Sequence, residues 1–567
     1  MNSFLKNLSI IFDLLFKKSL LYSVSLIVTY LMQVVISFLY VYSINEFFQS
    51  IYIFYMVDKS KILNSFLLFA FIVLLKYIVD GINVFTINTF NKKIVSVTKF
   101  FIIEKMNNVK YSNFENVDKL NFIDSIKNVR MDSILIFYLS MFFYYIPYSL
   151  VLVFYLYKIN YVLAVAGMFL FLPILCSKIF QIKYSDSFEE QVVNIRRKFN
   201  LFIDYFFEIS ILRDIKSFCA ENYFINLCKL HSKKYVDERY NFQKKILKME
   251  IVFKSIVCIL FGIIVYILIN LIFSNVINVA TFSSTLIIIS ELISASVNLI
   301  VYDSELLVEN YSSFKNYFKL YLDESYFDYI NKEKESSLIK FENVNFSYIN
   351  SKIDVLKNLN FSIKNGEKVA IIGKNGSGKS SLFKLLTGLY YPTKGKISNI
   401  SNNSVVFQDY CKYKLNLKEN IILSDTKKDF DLEKFDNIFN LTGLSEKFDD
   451  TNVELSLEFN GITPSGGMWN NISIARCLYK DAELFLMDEP MSNFDSIKEK
   501  EIFDKLIEYF KDKTLIFTTH NLGIAKKFDK IILVDNGEIV AVGNHKILMK
   551  NSQLYKELFE TQKEMYE

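Results

Sequence analysis

Histidine is almost absent from this chain, with three in 567 residues. That leaves little room for a histidine-based metal centre. The six cysteines, Cys176, Cys219, Cys228, Cys258, Cys411 and Cys477, include no CxxC pair, which argues against a zinc or redox site. All six fall in stretches expected in a membrane or the cytosol, where free thiols are the rule. The formal net charge is only +5 and no nucleic-acid-binding motif occurs, so no nucleic acid is expected as a partner. There is no internal repeat and no low-complexity tract. No cleavable signal is expected either: the uncharged run between Lys18 and Glu46 is longer than a signal-peptide core and lacks a small-residue cleavage site.

Apolar surface is what the chain has in excess. Hydrophobic residues make up 52% of it and the mean hydropathy is +0.24, above an ordinary soluble protein. Asn, Lys, Ile, Phe and Tyr are abundant while tryptophan occurs once, at Trp469. We read this as a genome-level bias, which weakens arguments from aromatic richness alone.

The excess is concentrated in the N-terminal half. A bilayer span needs about 20 apolar residues, and six stretches are expected to qualify. They are the run after Lys18, then roughly 62–84, 133–157, 161–177, 255–274 and 280–302. The connections near 91–132 and 178–254 are long and carry Lys92, Lys93, Lys99, Arg196, Arg197, Lys198, Lys233 and Lys234. Positive residues stay on the cytoplasmic side, so the N-terminus, both long connections and the C-terminal half are expected in the cytoplasm. Within the second connection Leu201, Phe202, Tyr205, Phe206 and Ile209 recur at helical spacing. Both connections are therefore expected to be helices reaching about 20 Å or more beyond the membrane at 1.5 Å per residue. Each turns back through a short segment, one near Ser112–Phe122 and one near Leu212–Tyr223. The expected division is a membrane domain at 1–310, a linker at 311–336 and a soluble domain at 337–567.

The soluble half carries the chemistry. The apolar run Val369–Ile372 opens into Gly373, Lys374, Asn375, Gly376, Ser377, Gly378, Lys379 and Ser380, followed by Ser381. This is the phosphate-binding pattern GxxxxGK[ST]. Its glycines let backbone N–H groups curl around phosphate oxygens, and the following helix points its positive end at the same anion. Lys379 is expected to reach the β- and γ-phosphates and Ser380 to hold Mg²⁺. A second apolar strand, Leu484–Met487, ends in Asp488 and Glu489. One carboxylate there suits Mg²⁺, and its neighbour suits orienting or deprotonating an attacking water. A third strand, Thr514–Thr518, leads to His520, whose position favours contact with the γ-phosphate.

On these residues, 337–567 resembles the nucleotide-binding domain of ABC transporters. Asp488 and Glu489 match its Walker B pair and His520 its switch histidine. The resemblance implies that Tyr348 stacks on adenine, that Gln408 lines the Mg²⁺ and water site, and that Ser492–Asp495 is the D-loop. Ser465, Gly466 and Gly467 match the core of the signature motif, which in this family closes over ATP held by a second copy of the domain. ATP and Mg²⁺ are thus the implied ligands, and a second half-transporter the implied partner. The membrane half resembles, by layout, the exporter-type transmembrane domain of the same superfamily. The turn-back segments then match its coupling helices, which dock near the Gln408 loop. The implied architecture is an α-helical membrane domain of six helices followed by an α/β P-loop NTPase domain. Phe407–Tyr410, Asn420–Ile421 and Gly466–Trp469 resemble the branch that includes lanthipeptide and bacteriocin transporters. No peptidase-like domain precedes the first span, so no leader cleavage by this chain is expected.

The signature departs from LSGGQ. It reads Pro464, Ser465, Gly466, Gly467, Met468, Trp469, Asn470, Asn471, with the usual glutamine and the trailing arginine replaced. Their loss is expected to remove donors that order the closed interface. An altered signature beside an intact Glu489 suggests a heterodimer with unequal ATP sites; neutral drift in a homodimer is the alternative. In the membrane half, Lys76 and Asp80 lie four residues apart and are expected to pair on one helix face. Glu291 has no evident partner and suits contact with a cationic or polar cargo. The Phe142–Tyr148 run either lines a cavity or packs against lipid. The implied activity is ATP-driven export of a peptide, lipid or amphipathic drug across the cytoplasmic membrane. An importer on the same fold, or a regulatory ATP-binding subunit, are the competing readings.

Overall fold

Long apolar runs without proline continue as helix well past the thickness of a bilayer. The computed structural model describes residues 10–52, 59–127, 129–170, 172–298, 305–322, 339–349, 351, 353–398, 402–491, 494 and 496–564. It divides into two compact units. One comprises residues up to Asn108 and Val117–Phe327, and the other Val109–Asn116 with Asp328–Glu567.

The first unit is helical. Helix α1 is Leu20–Tyr52, α2 Lys59–Asn107, α3 Val117–Lys127 and α4 Met131–Ser140. A π-helical turn, Met141–Tyr145, joins α4 to α5 (Ile146–Ile159). Then come α6 (Tyr161–Phe169), α7 (Leu172–Asp204), α8 (Ile209–Ser217), α9 (Glu221–Phe273), α10 (Val279–Asn298) and α11 (Glu305–Leu322). With 49 residues, α2 is about 73 Å long, against about 30 Å of bilayer hydrocarbon; α9, with 53, is longer still. The expected extensions are therefore present as continuous helix.

Among the described residues four helices are long and apolar enough to cross a membrane: Leu20–Tyr52, Lys59–Asn107, Met131–Ile159 and Glu221–Phe273. The expected span at 161–177 instead falls on α6 and the start of α7, with Pro173 in the first turn of α7. Proline tolerates that place because its missing N–H would be unsatisfied there anyway. The span expected at 280–302 falls on α10 and on residues 299–302, outside the described ones. The expected linker at 311–336 begins inside α11, and its residues 323–336 lie outside the described ones.

The chain reverses where expected, through a 3₁₀ turn at Tyr111–Glu115 and through α8. Residues of the first reversal belong to the second unit. The Tyr111 ring lies edge-on to Tyr390 at 5.7 Å, Lys110 Nζ is 4.2 Å from the Tyr391 ring centroid, and the Tyr390 hydroxyl donates to the Glu115 carboxylate. The expected docking is near Gln408; these contacts are with Tyr390 and Tyr391.

Two expectations about membrane charges are corrected. Lys76 pairs with Glu291 on α10, 3.5 Å away, rather than with Asp80. Asp80 accepts a hydrogen bond from Gln33 Nε2 on α1 at 2.8 Å. In apolar surroundings an unpaired carboxylate is costly, so the cross-helix pair prevails over the local one. The aromatic run divides: Tyr148 is buried and stacks on Tyr144, while Phe142 is exposed.

The second unit is an α/β domain. A six-stranded sheet has the order β5-β6-β7-β3-β8-β9, with β3 Lys368–Ile372, β5 Asn403–Val406, β6 Leu484–Asp488, β7 Thr514–Thr518, β8 Lys530–Asp535 and β9 Glu538–Gly543. All pairs are parallel except β8–β9. A smaller antiparallel sheet joins β1 (Ile339–Phe346), β2 (Leu356–Ile363) and β4 (Lys394–Ser398). Strands β6 and β7 are buried along their whole length, as central parallel strands covered on both faces must be. That is why they read as unbroken apolar runs. Ligand sites in such sheets form at the carboxyl ends of the strands; β6 ends in Asp488 and β7 in Thr518, and β3 runs from Ile372 into the Gly373 loop.

Candidate functional site

The register of three strands builds the site. Thr518 of β7 pairs with Ile371 of β3 on one side and with Asp488 of β6 on the other. The phosphate loop, the two carboxylates and His520 therefore emerge side by side, although up to 147 residues separate Gly373 from His520.

Beyond β3 the chain loops through Gly373–Gly378 into helix α12, Lys379–Leu386. Gly378 caps that helix at φ +106°, a left-handed conformation that glycine alone adopts without strain. A Cβ on Gly373 would lie 2.1 Å from the Val534 carbonyl oxygen, so no side chain fits there. Lys379 is buried, and its ammonium donates to the carbonyls of Gly373 and Lys374, both at 2.9 Å. Burial lowers its pKa, opposed by the charges of Glu489 and Asp488. Ser377 is buried too, and its hydroxyl lacks a hydrogen-bond partner. An orphaned hydroxyl is costly, and this one lies inside the loop beside a lysine that bonds only carbonyls. The residues fit an anionic phosphate. Lys374, Asn375, Gly376 and Ser380 are exposed along the same loop.

Asp488 is buried and accepts from the Thr518 hydroxyl. Burial raises its pKa, the Thr518 bond opposes this, and the neighbouring Glu489 charge adds to the rise. A buried carboxylate held in this way has the chemistry to meet a cation.

Glu489 has φ +47°, a strained conformation for a non-glycine residue and one that collects at functional sites. Its N–H donates to Thr518 Oγ1 at 3.0 Å. The strain re-aims the side chain, whose two oxygens are each engaged: Oε1 lies 2.7 Å from His520 Nε2, and Oε2 accepts from Gln408 Nε2 at 3.1 Å. Gln408, Glu489 and His520, distant in sequence, thus form one cluster at the strand ends.

Tyr348 stands over α12. Its hydroxyl lies 3.0 Å from Ser381 Oγ and its ring edge-on to Tyr390 at 5.7 Å, with Lys384 Nζ 5.3 Å from the ring centroid. The signature segment opens helix α13, Gly466–Tyr479, with Ser465 as N-cap accepting from the Met468 N–H at 3.3 Å. Ser465 and Gly466 are exposed and Gly467 half-buried. Asn470 and Asn471, by contrast, are buried and donate to the carbonyls of Pro490 (2.6 Å) and Thr442 (2.8 Å). These two side chains point into the domain, tying α13 to Pro490 in the turn after Glu489 and to Thr442. Ser492, Asn493 and Asp495 of the expected D-loop lie outside the described residues.

Three contributors escaped sequence reasoning. Thr518 was read only as the end of a strand. Arg476 donates to the carbonyl and side-chain oxygens of Asn420, both at 2.9 Å, and to the Cys411 carbonyl at 3.3 Å, joining α13 to the chain that follows Gln408. Gln562, in the C-terminal helix α14 (Gln553–Glu564), accepts from the Leu522 N–H at 2.7 Å and donates to the His520 carbonyl at 3.0 Å. It clamps the loop carrying His520 from 42 residues away, and no motif marks it. The same helix and the phosphate loop wall a cavity of about 450 Å³ that includes His520.

Residues 356–492 match the family model described as ABC transporter. The nisin transport ATP-binding protein NisT of Lactococcus lactis subsp. lactis is 38% identical over 241 residues, 39% of this chain and 40% of that one. The subtilin transport ATP-binding protein SpaT of Bacillus subtilis is 31% identical over 386 residues, 62% of this chain and 61% of that one. The chain thus spans less than two thirds of the length of these relatives. A solved bacterial Atm1-family ABC exporter with ATP bound superimposes with a TM-score of 0.81 over 95% of this chain and 99% of that one, at 16% identity. The chain joins a helical unit of exporter-type fold to an ABC-type ATP-binding domain.

Proposed function

We propose that this chain is one half of an ATP-driven exporter of the cytoplasmic membrane, with its N-terminus and ATP-binding domain in the cytoplasm. The observation that carries the reading is the convergence of Glu489, His520 and Gln408 at the strand ends beside the phosphate loop. A regulatory subunit that only binds ATP would not need this cluster. The cargo class is a peptide, lipid or amphipathic drug; NisT and SpaT are named for transport of nisin and subtilin. Import on the same fold is the alternative direction.

In this reading the backbone of Gly373–Gly378 and Lys379 bind the phosphates, Ser381 follows them on α12, and Tyr348 packs against the adenine. Ser380, Gln408 and Asp488 would hold Mg²⁺, which neutralises phosphate charge. Glu489 accepts the proton of the attacking water, and His520, already in contact with Glu489, faces the γ-phosphate. Ser465, Gly466 and Gly467 act on ATP held by a second half-transporter. We favour a heterodimer in which this chain's Glu489 works under a partner's intact signature. The deciding measurement is Mg-ATPase activity of the purified chain in lipid. Activity that vanishes in Glu489→Gln means a working homodimer. Retained ATP binding without turnover means a missing partner, to be found by co-purification.

Gln562 belongs to this machinery by position. Gln562→Ala should lower turnover about tenfold, the effect of removing hydrogen bonds worth about 1.4 kcal/mol from a catalytic loop. ATP affinity should stay unchanged, and in a His520→Ala background the substitution should have no further effect. An additive loss would mean that Gln562 acts elsewhere.

A further inference from the structure

The membrane unit holds a charge imbalance around one cavity. The cavity encloses about 260 Å³ and is lined by Gln33, Lys76, Asp80, Tyr144, Tyr148 and Glu291, among others. Two carboxylates face a single ammonium. Lys76 is shared between Glu291, 3.5 Å away, and the face of Tyr40, 4.4 Å from its ring centroid. Asp80 has one polar partner among the described residues, the neutral amide of Gln33. That amide's own oxygen, buried, has none.

A carboxylate among apolar helices is costly unless a cation meets it, and among the described residues the one ammonium lining the cavity, that of Lys76, is already engaged. Part of the lining is aromatic. Tyr144 and Tyr148 stack with centroids 5.6 Å apart and planes within 4°, next to the π-helical turn Met141–Tyr145. Such turns interrupt a helix at a cost and recur at functional sites. Aromatic faces attract cations, most strongly where water is scarce. Acidic and aromatic walls, a spare negative charge and an unsatisfied amide oxygen share one preference in ligand. The volume admits a charged side chain with a few waters and excludes a folded peptide.

We propose that this cavity binds one cationic group of the transported molecule, an alkylammonium or a guanidinium, with Asp80 as its counter-ion and Lys76 as the internal cation it competes with. The inference rests on the exporter reading and adds the charge of the cargo.

The test uses the full-length chain in lipid nanodiscs and three dansylated nonapeptides, alike except for a central lysine, Nε-acetyl-lysine or glutamate. Binding is followed by fluorescence anisotropy with empty nanodiscs subtracted. The lysine peptide should bind about tenfold tighter than the acetylated one, the effect of one partly desolvated charge pair. Asp80→Asn should erase that advantage. Lys76→Met, which frees a second carboxylate, should preserve or enlarge it, and it provides the answer should Asp80→Asn fail to fold. Equal affinities, including no saturable binding of any peptide, would overturn the proposal. So would tightest binding of the glutamate peptide, an advantage that survives Asp80→Asn, or one lost in Lys76→Met. A chain whose ATPase activity depends on Glu489 but which treats the peptides alike refutes this inference and leaves the exporter reading intact.

Discussion

Glu489→Gln should abolish ATP turnover while leaving ATP binding in place. A positioned general base contributes about 10² to 10⁴ in rate, and the loss should fall in that range. The substitution keeps the size of the side chain, and its amide can still meet both Gln408 and His520, the two neighbours of the carboxylate. The backbone at φ +47° is held by bonds to Thr518 that do not involve the side chain. Folding and the phosphate loop are therefore spared. ATP that binds but is not hydrolysed should hold two ATP-binding domains together, so nucleotide should remain occluded after rapid filtration. Phosphate release and retained labelled ATP, measured on the same preparation, check both halves of the expectation. A mutant that hydrolyses ATP at the normal rate would remove Glu489 from the mechanism.

Lys379→Ala should weaken ATP binding about 10- to 100-fold, the worth of charge-assisted hydrogen bonds of about 1.5–3 kcal/mol. The lysine does two things in the loop. Its charge awaits the phosphates, and its ammonium ties the carbonyls of Gly373 and Lys374. Alanine removes both, so part of the loss is loop order. Titration with ATP, ADP and adenosine separates the two: the phosphorylated ligands should weaken and adenosine should not. Unchanged ATP affinity would contradict the phosphate-loop assignment.

Much of this site was legible in the sequence because its conformation is local. A glycine loop between an apolar strand and a helix specifies its own backbone, and Gly373 and Gly378 occupy places that no other residue fits. The apolar runs of β3, β6 and β7 announced buried parallel strands, and the glycine loop after β3 with the polar residues that close β6 and follow β7 announced the site. The long helices were legible for a similar reason, since long runs without proline leave little to stop them.

Other features were settled only by contacts between distant parts of the chain. Lys76 and Asp80 sit at pairing distance along α2, yet each takes a partner on another helix, because Glu291 would otherwise face an apolar bundle alone. That Asn470 and Asn471 turn inward, to the carbonyls of Pro490 and Thr442, was settled by the fold. Thr518 gained its role from strand register, and Gln562 from the return of the last helix to the His520 loop. The sequence by itself determined the phosphate loop, the carboxylate pair, the histidine and the division into a membrane half and an α/β half, since short-range spacing suffices for each. Which side chains meet across helices and strands was decided by tertiary structure alone, because burial makes an unpaired charge or donor costly and the available partners lie tens to hundreds of residues away.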